Sequence, residues 1–108
     1  MANNFKNFGQ AAVGTSPTTI YTAGGGVQAT VIGMTVSNIL ETSITANVIV
    51  NIGSSNYYMV KKASIDTGNS LVPIGGDQKL VLEAGDYIVV STSNASSADV
   101  ILSLLEIS

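Results

Sequence analysis

A chain of 108 residues, 45% apolar and only 10% charged, has the size and composition of one globular domain, which excludes a disordered chain and leaves no room for a second domain. Its net charge is −3, and its four positive charges are all lysine, so the clustered basic surface needed for direct nucleic-acid binding is missing. Cysteine is absent, which removes disulfides and thiolate metal sites.

The opening segment, Met1-Ala2-Asn3-Asn4-Phe5-Lys6, has no apolar stretch of the signal-peptide kind, and no apolar run reaches the ~20 residues of a spanning helix. Residues 1–16 are polar and lack periodicity, so they read as an N-terminal arm with a short strand near Gln10–Val13. From Pro17 the composition turns β-branched and is interrupted by Gly, Asn and Ser clusters, which marks residues 17–108 as a domain of short strands and tight turns. Thr18–Thr22 is the first strand of that domain, stopped by Gly24-Gly25-Gly26. Val27–Ser37 follows, with Ile32, Met34 and Val36 expected on one face. Ser43–Ile52 is the clearest strand, because Ile44, Ala46, Val48, Val50 and Ile52 alternate with mostly polar residues at a period of two.

Gly53-Ser54-Ser55-Asn56 reads as a hairpin loop and Tyr57–Lys62 as the returning strand. A turn at Asp66–Ser70, where Gly68 or Asn69 supplies a positive φ, leads into a strand at Leu71–Ile74. A further turn is expected at Gly75-Gly76-Asp77. Strands at Lys79–Leu82 and Tyr87–Ser93 flank the tight turn Glu83-Ala84-Gly85-Asp86. Asp99–Ile107 closes the chain, with Val100, Leu102 and Leu104 on one face. About eight strands without an amphipathic helix predict an all-β chain, a single-domain antiparallel β-sandwich or jelly roll.

The residue inventory argues against an enzyme. Without histidine or cysteine, neither a Ser-His-Asp nor a Cys-His arrangement is available. The acids Glu41, Asp66, Asp77, Glu83, Asp86, Asp99 and Glu106 fall largely in turns, where Asp serves local backbone hydrogen bonding rather than paired-carboxylate hydrolysis. No loop carries the alternating acids of a calcium site, and the Gly24–Gly26 run enters a strand instead of the helix a phosphate loop needs. Hence no catalytic, metal-binding or cofactor-binding residues are assigned, and no cofactor is expected. Tyr57 and Tyr58 are neighbours on a strand, so their rings face opposite sides; packing of both in the core or at the sheet edge is expected, the alternative being one ring in the core and the other at the surface, available to a partner or a sugar ring. Lys61-Lys62 reads as a solvated strand end.

A chain without catalytic groups acts through its surface. Phe5 and Phe8, in a polar context, are the candidate anchors of the arm on a neighbouring subunit. The alternative is an arm that folds back on its own domain.

Taken together, Gly14-Thr15-Ser16-Pro17-Thr18-Thr19-Ile20-Tyr21-Thr22, the long alternating hairpin, Gly75-Gly76-Asp77-Gln78-Lys79-Leu80, Leu82-Glu83-Ala84-Gly85-Asp86 and Asp99-Val100-Ile101-Leu102-Ser103-Leu104-Leu105-Glu106 resemble small virion structural proteins of tailed bacteriophages. The resemblance implies a β-sandwich that decorates or cements a capsid through protein–protein contacts with other virion proteins, the major capsid protein first among them. It also implies a homo-oligomer located in the virion, made in the host cytoplasm, with no membrane or direct nucleic-acid partner. The alternatives are a tail, neck or baseplate component, and a carbohydrate-binding module for host recognition.

Overall fold

The computed structural model describes residues 3–75 and 79–108. Within them the chain is all-β, with nine strands in two antiparallel sheets packed as a sandwich. The strands are β1 (Asn3–Val13), β2 (Thr18–Thr22), β3 (Gln28–Asn38), β4 (Ile44–Ile52), β5 (Ser55–Ile65), β6 (Ser70–Ile74), β7 (Leu80–Leu82), β8 (Tyr87–Thr92) and β9 (Ala98–Ile107). One sheet runs β1-β9-β3-β6, with β7 also on β3; the other runs β2-β8-β4-β5. The turn expected at Gly75-Gly76-Asp77 lies, beyond Gly75, outside the described residues.

The core forms where the period-two pattern is strongest. Ile44, Ala46, Val48 and Val50 of β4 meet Val31, Met34 and Val36 of β3, with Ile88 and Val90 of β8 and Val100, Leu102 and Leu104 of β9 completing the layer. Burying each of the Val, Ile, Leu and Met side chains among them is worth roughly 1.5–3 kcal/mol. Polar groups that enter the interior are partnered. Asn38 donates its amide to the carbonyls of Thr42 and Ile65 at 2.9 Å each and accepts from the Leu40 N–H at 2.8 Å. No buried side-chain nitrogen or oxygen among the described residues lacks a partner.

Four local expectations change or narrow. First, residues 3–13 form an eleven-residue strand, the ninth of the fold, instead of an arm with a short strand at 10–13. It pairs with β9 without a break from Asn3↔Ile107 to Gln10↔Val100, then bulges at Ala12 (φ 54°) before Val13↔Ala98. The strand escaped the sequence pattern because it borders the sheet and only Phe8 and Val13 among its inward residues are apolar.

Second, β3 bulges between Val31 and Gly33, so Val31 and Met34 both face the core while Ile32 turns outward. An extra residue inverts the alternation on one side of the bulge. Third, the β4–β5 connection is a two-residue loop in which Gly53 (φ 57°) and Ser54 (φ 71°) both adopt positive φ, the geometry that matches hairpin twist.

Fourth, Tyr57 and Tyr58, both 55% exposed on the edge strand β5, take the edge placement and not the core one. Their strand lies at the margin of its sheet, where a side chain on either face projects past the packed layer. Lys61 Nζ sits 5.1 Å from the centre of the Tyr58 ring, a cation–π arrangement that keeps both at the surface.

Candidate interaction surface

Several acids that might have built a reactive site are occupied by the fold. Asp86, buried at the turn before β8, accepts the Gly53 N–H at 3.2 Å on Oδ1 and the Glu83 N–H at 3.0 Å on Oδ2, joining two turns. Asp99 accepts the Ala12 N–H at 2.9 Å and supports the β1 bulge. Asp66 accepts from the Ser43 hydroxyl at 3.1 Å. Among the described residues no group of three or more His, Cys, Asp or Glu side chains could hold a metal ion.

Glu106 closes one end of the sandwich. The Lys6 ammonium lies 2.8 Å from its Oε1, and the Tyr21 hydroxyl donates to its Oε2. The bond to Lys6, reinforced by the one from Tyr21, holds the Glu106 carboxyl below the usual carboxylate range. Burial, with the anionic Glu106 beside it, pushes the Tyr21 hydroxyl well above its ordinary value. The Phe8 ring stacks on Tyr21 with centroids 4.9 Å apart and planes tilted by 52°. Phe8, Ile20, Tyr21, Val27 and Glu106 line a shallow groove beside β2. The cluster is a polar clamp between the sheets, with each Glu106 carboxylate oxygen engaged.

The structure therefore places the two phenylalanines on opposite sides of β1. Residues directly opposite on neighbouring strands share a face. Phe8 lies opposite buried Leu102 and points inward to Tyr21. Phe5 lies opposite Leu105 and points outward, 76% exposed. A separation of three puts any two strand residues on different faces, so these two side chains do not converge on one surface.

What converges instead is the outer face of the five-stranded sheet. Phe5 of β1, Leu105 of β9, Thr30 of β3 and Val81 of β7 form one row across four strands. Ile101, 59% exposed, stands opposite both Gly9 and Thr35. Ile32 at the β3 bulge and Val72 on β6, the latter 59% exposed, extend the apolar area. Among the described strand residues the register gives this face one charged side chain, Asp99, and its Oδ1 already accepts the Ala12 N–H.

Sequence reasoning did not reach Ile101, Leu105, Val72 or Val81. A signal existed: Val100-Ile101-Leu102 and Leu104-Leu105 are apolar at consecutive positions, and a strand apolar on both sides asks for cover on both sides.

No family model and no curated protein matches the chain. Among solved structures, the fold is similar to that of a protein from Bacillus endospore appendages, described as forming a novel family of disulfide-linked pili. The two share 11% identity with a TM-score of 0.58, and the superposition covers 99% of this chain and 87% of that one. At this identity the likeness speaks for the fold alone.

Proposed function

We propose that the chain is a non-enzymatic structural subunit that works by packing against other protein chains in a larger assembly, its own copies included. The observation that carries this reading is the outer face of the β1-β9-β3-β6/β7 sheet, where Phe5, Ile101, Val72 and Val81 stand exposed and the described strand residues bring one charge, Asp99. Exposed large apolar side chains gathered on one sheet face are a mark of protein–protein contact surfaces. The whole face, its Asn, Ser, Thr and Gly positions included, spans roughly 650 Å² at about 4.8 Å between strands, of the order of the ~800 Å² per partner of a stable interface.

Within this class, the resemblance to small virion proteins of tailed bacteriophages favours a capsid cement or decoration protein, located in the virion with the major capsid protein as its partner. The appendage protein of similar fold belongs to pili described as disulfide-linked; this chain has no cysteine, so it cannot be joined in that way. The inventory without histidine and the commitment of Asp66, Asp86, Asp99 and Glu106 to structural bonds both favour a role without chemistry. Phe5, on the outer face, is the anchor toward a neighbouring subunit, while Phe8 holds β1 on its own domain.

Size-exclusion chromatography with light scattering tests the reading. A discrete oligomer at micromolar concentration is the expected result. A monomer that stays monomeric up to millimolar concentration contradicts self-assembly.

A further inference from the structure

Each sheet of the sandwich ends in strands with unpaired backbone groups, and the four edges are not alike. β2 is five residues long and its pairing shifts between Thr19 and Tyr21. β5 is interrupted twice in its register, has Lys62 at φ 53° and carries Lys61 and Lys62. The far edge of the first sheet is divided between β6, which contains Pro73, and the three residues of β7. Bulges, lysines, proline and short strands are the devices that keep an edge from pairing. β1 has none of them between Asn3 and Gln10 apart from Lys6, and the Lys6 ammonium is held by Glu106 of its own chain.

We infer that β1 pairs antiparallel with β1 of a second copy of this chain about a two-fold axis at Asn7, joining two five-stranded sheets into one. The inference rests on the assembly reading and names its contact. Residues 4–10 would then be paired, the whole regular run up to the bulge after Gln10. On the outer face each Phe5 lies opposite the second copy's Gly9. That position offers open space, the nearest heavy atom to an added Cβ being the Val100 carbonyl oxygen at 3.9 Å. An aromatic side chain laid over a strand glycine covers backbone that would otherwise face water, and two-fold symmetry provides this twice.

Neighbouring registers are worse: an axis at Phe8 pairs only residues 6–10 of the regular run and sets Asn7, not Phe5, opposite Gly9. An axis at Lys6 sets two ammonium-bearing side chains directly opposite, and like charges so placed are destabilising. An axis at Phe5 sets Phe5 opposite Phe5 instead of over Gly9, and among the described residues pairs only 3–7. With the axis at Asn7, Lys6 faces Phe8 and Asn4 faces Gln10, so no like charges meet.

The chain has no cysteine, so a single introduced thiol reports position without interference. At the axis the two Asn7 Cα atoms come within roughly 4.5–5.5 Å, inside the range of a disulfide. Two copies of residue 3, on the same face of the same strand, would be about 27 Å apart. Under mild oxidation Asn7→Cys is expected to link into a covalent dimer at least tenfold faster than Asn3→Cys. Equal rates, or no Asn7→Cys dimer, overturn the pairing, as they would if β1 offered its edge to a strand of a different protein. If wild type is nevertheless an oligomer by light scattering, the assembly reading stands and only this contact fails; if wild type is a monomer, both fail.

Discussion

The Tyr21 hydroxyl donates a hydrogen bond to Glu106 Oε2 across a sequence separation of 85, binding β2 of one sheet to β9 of the other. Because Lys6 of β1 holds the second carboxylate oxygen at 2.8 Å, three strands meet on one acid. The Glu106 carboxyl is lowered in the folded protein, so the stability it contributes is present above the ordinary carboxylate pKa and is lost as pH falls through the folded value. In urea denaturation, wild type is therefore expected to exceed Glu106→Gln at pH 7, with the gap closing once the pH is below the folded value. A gap that persists or widens in acid would show that the carboxylate is not the source.

Adjacent residues of β9 serve opposite faces and should respond oppositely to substitution. Leu102 is fully buried, and Leu102→Ala should cost about 3 kcal/mol through lost burial and the cavity left behind. Ile101 is 59% exposed, and Ile101→Thr should change the stability of the isolated fold by no more than ~0.5 kcal/mol. Thermal and denaturant unfolding of the two variants at a concentration where the chain is monomeric checks both values.

Asp86 receives two backbone N–H groups from separate turns, those of Gly53 and Glu83. Its removal leaves both donors without that acceptor in a part-buried place, so Asp86→Ala should destabilise by about 2 kcal/mol. Asp86→Asn, which keeps one carbonyl acceptor, should lose less. Hydrogen exchange of the Gly53 and Glu83 amides, faster in Asp86→Ala than in wild type, would localise the effect.

The parts of the fold legible in the sequence are those where burial is one-sided. β4 alternates Ile44, Ala46, Val48 and Val50 toward the core, and β9 does the same with Val100, Leu102 and Leu104; both strands were found within a residue of their ends. β1 was not, because its inward side chains Asn4, Lys6 and Gln10 lie at the rim and carry no apolar period. The β3 bulge was equally invisible, since only pairing with β9 reveals that Val31 and not Ile32 is inside. The interaction surface lay half in view. Phe5 stands out with Phe8 in a polar segment, but Val72 and Val81 come to the same face only because β6 and β7 pair with β3 from distant parts of the chain.

The measurement that tests the structural-subunit reading most directly is sedimentation velocity on wild type and on an Ile101→Lys/Val81→Lys double variant side by side. Both positions are exposed, so the variant should keep its thermal midpoint. The account predicts that wild type sediments as a discrete oligomer larger than the β1-paired dimer while the variant is a folded species no larger than that dimer, because two ammonium groups cannot be buried unpaired on the apolar sheet face. If wild type and variant sediment alike, the outer face is not where this chain meets its neighbours, and the central claim is contradicted.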